Sequence, residues 1–151
     1  QLLRDTEWPG GDIMIIDMPP GTGDTQLSIS QLCELTGTVI VSTPQDVALI
    51  DAVKAAKMFT KVEIDILGIV ENMSFFACPK CGEETPIFSR YGAEETSKKI
   101  QAPFLGAIPI ELEVRKGGDD GKPLMASNLD SPASMAFKNI ADNLVKVLEE
   151  G

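Results

Sequence analysis

A chain of 151 residues with 43% hydrophobic content has the size of one domain and enough apolar mass for a core. Its net charge of −10 leaves no basic stripe to replace phosphate counterions, so nucleic acid is not an expected partner. Histidine is absent, which removes imidazole bases, histidine metal ligands and the Ser-His-Asp and Cys-His hydrolases, and no apolar run approaches the roughly 20 residues of a membrane span.

The chain opens at Gln1 and shows no charged-then-apolar leader; it reads as a cut piece. Residues 1–11 are polar, with Trp8-Pro9-Gly10-Gly11 as a turn into a first strand. Ile13, Met14, Ile15 and Ile16 followed by Asp17 predict a strand buried on both faces, stopped by Pro19-Pro20-Gly21. Asp17 is then left at the carboxyl end of a core strand, where open α/β sheets bind ligands. This is a Walker B pattern, in which the acid holds magnesium, directly or through water, beside a nucleotide's phosphates. A core strand ending in a plain turn is the other reading of the same run. Gly21 and Gly23 permit a backbone approach to phosphate that a Cβ would obstruct, and Asp24 can cap the helix that follows.

In that helix Ile29, Leu32 and Cys33 share an apolar face, and Gly37 stops it. Residues 38–43 are β-branched and predict a second buried strand, ended by Pro44, with Asp46 as the next helix cap. Leu49, Val53, Ala56 and Phe59 line one face of that helix, with Lys54, Lys57 and Lys61 outside it; residues 64–72 predict a third strand. Strand and helix alternate at the pitch of right-handed parallel crossovers. The expected fold is therefore α/β, a mostly parallel sheet with helices on both faces. Residues 74–88 break the pattern and read as an inserted cysteine loop. A helix over 93–100, a strand over 104–108 and a loop-like stretch over 111–128 follow. Ser131-Pro132 then starts a last helix whose Phe137, Ile140, Leu144 and Val147 form one apolar face. No repeat or linker divides the chain, so residues 1–151 read as a single domain.

The inserted loop carries Cys78-Pro79-Lys80-Cys81-Gly82. Two cysteines separated by two residues can place both sulfurs on one metal, and Pro and Gly favour the tight knuckle that turns N–H groups toward thiolates. Zinc and iron–sulfur centres usually take four ligands, and Cys33 sits on an apolar helix face, so the pair is half a site. A redox dithiol, half of a zinc ribbon, and a half-site completed by a second copy about a two-fold axis are the three readings. Three cysteines in all do not make a secreted disulfide framework and point to a reducing compartment.

Four ordered blocks carry a resemblance: Asp17-Met18-Pro19-Pro20-Gly21-Thr22-Gly23-Asp24, Ser42-Thr43-Pro44-Gln45-Asp46-Val47-Ala48-Leu49, Glu71-Asn72-Met73-Ser74 and Cys78-Pro79-Lys80-Cys81. From about Trp8 to the last helix the chain resembles the Mrp/ApbC group of iron–sulfur cluster carriers, deviant-Walker P-loop ATPases of the MinD type. The resemblance implies that Asp17 serves magnesium and catalysis, that Gly21 lies near the γ-phosphate with Thr22 beside it, and that Asn72 reads the adenine of ATP. A turn or helix cap after a strand is the alternative role of Asn72. It further implies that Cys78 and Cys81 from each of two subunits hold a [4Fe-4S] cluster between them, for delivery to recipient apoproteins. A bacterial cytoplasm, or a mitochondrial matrix in a eukaryote, would be the setting. A MinD-like regulatory ATPase with a structural zinc at the cysteine pair is the rival, but a membrane role would want a basic amphipathic carboxyl-terminal helix, and this chain ends Leu148-Glu149-Glu150-Gly151.

That family begins with a strand and a glycine-rich phosphate loop, absent from this sequence. Lys116-Gly117-Gly118-Asp119-Asp120-Gly121-Lys122-Pro123 is no substitute: it has one residue too many, sets Pro123 where a hydroxyl should meet magnesium, and puts two carboxylates where phosphate would bind. It reads as a flexible surface loop. The expectation is the carboxyl-terminal part of an ATPase domain, incomplete at its amino-terminal side, with ATP hydrolysis belonging to the full-length parent and little or no ATP binding here.

Overall fold

The computed structural model describes residues 2–19, 23–78, 80–89 and 91–150. In chain order its elements are α1 (Leu2–Asp5), α2 (Asp24–Leu32), β1 (Thr38–Ser42), α3 (Asp46–Lys61), β2 (Ile66–Glu71), β3 (Phe76–Ala77) and β4 (Glu84–Thr85). They continue with α4 (Gly92–Ile100), β5 (Phe104–Ala107), α5 (Leu112–Asp119), α6 (Leu124–Ser127) and α7 (Pro132–Glu150).

The sheet that organises them is parallel, in the order β1-β2-β5. Strand alternation sorts its side chains into two cores. Ile40 and Ile69 face one way and pack with Ala52 and Ala56 of α3 and Ala93 of α4. Val70 and Leu105 face the other way and pack with Leu124 of α6 and Ala133 of α7, flanked by Ile140, Leu144 and Val147. The expected α/β fold, a mainly parallel sheet between helical layers, is what forms. Ile69 at the centre of β2 is 0% exposed, and Gly68 before it leaves room for Leu105, whose Cγ would lie 2.5 Å from an added Cβ. Asn143 of α7 donates from Nδ2 to the Leu105 carbonyl at 2.9 Å, tying the long helix to the sheet backbone.

Three expectations are corrected. Residues 13–17 form no strand: Ile13, Met14 and Ile15 are 57%, 51% and 84% exposed, and Asp17 is exposed with them. A strand apolar on both faces is stable only between ladder partners and covering helices, and no ladder reaches this run among the described residues. Residues 111–128 are not loop-like but hold α5 and α6. The tempting Lys116–Asp119 stretch is the last turn of α5, braced by Arg115–Asp119 and Lys116–Glu113 ion pairs at 3.0 and 3.6 Å and anchored by Val114 against the second core. Finally, Asp24 and Asp46 are the first helical residues and not caps; Gly23 and Gln45 hold the cap positions, without side-chain bonds. Both acids still lie where the helix dipole favours negative charge.

The Ser131-Pro132 start of α7 is as expected, with Ser131 Oγ accepting from the Ser134 N–H at 3.1 Å. Among the described residues no helix is long and apolar enough to cross a membrane.

Candidate functional site

The cysteine loop leaves the carboxyl end of β2, the central strand. Asn72 and Met73 turn the chain, Met73 at φ 55°, with the Asn72 N–H donating to the Ser42 carbonyl at 2.7 Å and the Met73 N–H donating to Asn72 Oδ1 at 3.0 Å. The side chain of Asn72 thus makes the turn that its sequence position allowed. Beyond it, Ser74 N–H donates to the Ile108 carbonyl at 3.0 Å and Ile110 N–H to the Phe75 carbonyl at 2.7 Å, so the loop base is laced to the chain leaving β5.

From that base rises a short antiparallel hairpin, Phe76 opposite Thr85 and Ala77 opposite Glu84. At its tip the Cys78 N–H donates to the Glu83 carbonyl at 2.9 Å and the Gly82 N–H to the Cys78 carbonyl at 2.8 Å. Gly82 sits at φ 73°, a left-handed conformation that a side chain would strain. This is the tight knuckle that the Pro and Gly in the motif anticipated. Cys78 is half-buried and Cys81 exposed, and neither is in a disulfide. The backbone N–H groups of Lys80 and Cys81, and the Cys81 thiol, donate toward the Cys78 sulfur and hold its pKa below the usual thiol value.

Cys78 and Cys81 are therefore brought together on one exposed tip. Two thiols are a half-site, and among the described residues no group of three or more cysteine or acidic side chains could hold a metal alone. Cys33, at the end of α2, is separate. Of the expected nucleotide ligands, Gly21 and Thr22 lie outside the described residues, Asp17 is on the exposed run, and Asn72 is half-buried at its turn. Gln26, 5% exposed on α2, donates from Nε2 to the Pro19 carbonyl at 2.7 Å and holds the segment after Asp17. A surface groove of about 720 Å³ between α3 and α4 is lined by none of these residues.

One side chain that sequence reasoning passed over belongs to the site. Glu71 ends β2, is 2% exposed, and accepts from the Ser74 hydroxyl and from the Ala93 N–H of α4. The signal was present: an apolar run closed by an acid is the same pattern that drew attention to Asp17.

Fold and site define a P-loop NTPase-like α/β unit that presents a dithiol hairpin at the carboxyl end of its central strand. The chain belongs to the NUBPL iron-transfer P-loop NTPase family of the ParA group, whose sequence profile matches residues 1–145. It is 51% identical, over 99% of its length and 46% of the relative's, to an iron-sulfur cluster transfer protein NUBPL of Dictyostelium discoideum. It is 45% identical, over 98% of its length and 40% of the relative's, to the iron-sulfur cluster carrier protein of Escherichia coli K12. A nucleotide-binding protein of Archaeoglobus fulgidus, solved in complex with ADP, superposes with a TM-score of 0.66 at 38% identity, over 80% of this chain and 48% of that one. The chain thus spans less than half the length of these relatives.

Proposed function

We propose that this chain is part of an ATP-dependent iron–sulfur cluster carrier, in which Cys78 and Cys81 from two copies grip one [4Fe-4S] cluster that is then passed to recipient apoproteins. The observation that carries the reading is the cysteine pair itself: two neighbouring thiols on an exposed hairpin tip, in a chain of an iron-transfer family. A two-fold axis through facing tips supplies four thiolates without a fifth element. Exposed Phe76, Ile87 and Phe88 on the same loop offer apolar area for that contact. The chemistry asked of the residues is modest. Each thiol loses its proton to bind iron, and the N–H groups aimed at Cys78 lower the cost of that charge. The exposed position lets a cluster be handed to other thiols by ligand exchange.

For the nucleotide, the reading assigns magnesium to Asp17, the γ-phosphate to Gly21 and Thr22, and adenine to Asn72, whose Oδ1 serves the turn while its amide group can donate. ATP would supply the switch between dimer geometries. Asp17 on an unpaired run does not by itself build a closed pocket, so this chain alone is expected to bind ATP weakly and to hydrolyse none. The carrier would work in a bacterial cytoplasm or a mitochondrial matrix, as a homodimer joined at the cysteine loops.

Anaerobic reconstitution with iron and sulfide tests the cargo. Wild-type protein should gain broad visible absorption and about two iron atoms per chain, half of one [4Fe-4S] cluster, and should elute as a dimer. Cys78→Ser should lose most of the absorption and the iron. Equal cluster absorption in both proteins would remove the ligand assignment, and zinc in place of iron would favour a structural site.

A further inference from the structure

The cysteine hairpin is fastened at both of its ends, and one buried carboxylate reaches both of them. Glu71 Oε1 accepts the Ser74 hydroxyl proton at 2.5 Å where the chain enters the loop. Glu71 Oε2 accepts the Ala93 N–H at 2.8 Å where the chain, having left the loop, begins α4. Ser74 is 9% exposed, Ala93 0% and Glu71 2%, so both bonds are shielded from water. The bond to Ala93 also does what the cap residue of α4 does not: Tyr91, at φ 64°, gives that helix no side-chain cap. A second tie stands at the exit, where the Ser89 hydroxyl donates to the Pro44 carbonyl. Added bulk at Gly92 would meet Leu49 Cδ1 at 2.7 Å, so the start of α4 sits against α3 without slack.

We propose that Glu71 is the positioning residue of the cysteine hairpin: its two carboxylate oxygens hold the first residue of the cysteine-bearing loop and the start of the helix that follows it at a fixed separation, and thereby aim Cys78 and Cys81. The inference rests on the cluster-carrier reading for its functional consequence but not for its geometry. A flexible loop pays entropy to present two thiols at one angle; a loop closed at its base by charged hydrogen bonds has that cost met in folding. Glu71 sits at the carboxyl end of the central strand, one residue before Asn72, so the same turn that the nucleotide reading uses is continuous with the cysteine clamp.

The experiment compares wild type, Glu71→Ala, Glu71→Gln and Ser74→Ala in the full chain. Gln can offer its carbonyl to the Ala93 N–H and its amide hydrogens to Ser74 Oγ, and so keeps both ties without the charge. Amide hydrogen exchange over residues 75–89 should quicken about tenfold or more in Glu71→Ala, since a hydrogen bond to a charged group is worth at least a decade in a local opening equilibrium. Ser74→Ala should show a smaller rise and Glu71→Gln a wild-type pattern, while the amides of β1 and α7 stay unchanged in all folded variants. In reconstituted protein, a ferrous chelator should strip iron from Glu71→Ala and Ser74→Ala faster than from wild type, with Glu71→Gln restoring slow loss. Unchanged exchange over 75–89 in Ser74→Ala and in folded Glu71→Ala overturns the clamp. Faster exchange with unchanged iron loss overturns its role in positioning. Should Glu71→Ala fail to fold, the contrast between Ser74→Ala and Glu71→Gln decides both points. Should wild type take up no cluster, the carrier reading fails while the exchange measurements still judge the clamp.

Discussion

Three donors converge on the sulfur of Cys78: the Lys80 N–H first, then the Cys81 N–H and the Cys81 thiol. All of them favour the thiolate, and only slight burial opposes them. The sign follows directly. A thiol whose folded pKa is depressed adds its contribution to stability as it ionises, present at high pH and lost as pH falls through the folded value. The more useful readout is nucleophilicity, because the thiolate is the reactive form. Alkylation of Cys78 by iodoacetamide, followed site by site by peptide mapping, should show a midpoint below the 9.0 of an ordinary thiol. Cys81→Ala deletes one donor and leaves the two backbone donors, so it should move the midpoint part of the way back up. A wild-type midpoint at or above 9.0 would show that the knuckle does not aim its N–H groups at the sulfur.

Among the elements, α5 is the one whose existence a single glycine can test. Gly118 lies in its last turn, with nothing within 4 Å of the place a Cβ would occupy. In a helix, Gly→Ala recovers roughly 0.5–1 kcal/mol through lower backbone entropy. Gly118→Ala should therefore raise the urea midpoint, whereas at Gly117 the added Cβ would lie 2.5 Å from the Lys122 carbonyl oxygen and should lower it. No change at either position would fit a mobile loop and not a helix. This element also shows where local sequence stops being legible. Lys116-Gly117-Gly118-Asp119-Asp120-Gly121 is all turn signal, and what overrides it is non-local: Val114 reaching the second core and Gly117 making room for the chain that returns at Lys122. The β-branched run at β1, the apolar face of α3 and the Ser-Pro start of α7 were legible because period and capping are local properties. The cysteine knuckle was legible for the same reason. Glu71 carried a local signal, an acid closing an apolar run, but its role was not legible, because its partner Ala93, 22 residues away, is brought to it only by tertiary structure.

At the scale of the whole molecule, the apolar run of residues 13–16 has the composition of a core strand and the exposure of a surface loop. The outer edge of β1 is unpaired among the described residues, and Val41 on that strand is 62% exposed. An open parallel edge and a run of unburied isoleucines are each a template for association. The chain by itself should self-associate as concentration rises, through the exposed apolar run and independently of iron, in contrast to the cluster-bridged dimer, which should need Cys78. Ile15, 84% exposed, contributes almost nothing to the fold of one chain, so Ile15→Lys should leave the urea midpoint within error of wild type. Burying an isoleucine is worth about 1.5–3 kcal/mol, so the same change should weaken iron-free association about tenfold or more. Sedimentation velocity over a range of concentrations separates the two contacts: Ile15→Lys should move the iron-free species to higher concentration and spare the cluster-dependent one, whereas Cys78→Ser should remove the cluster-dependent species and spare the iron-free one. If Ile15→Lys leaves iron-free association unchanged, the exposed run is not the sticky face and some other surface is.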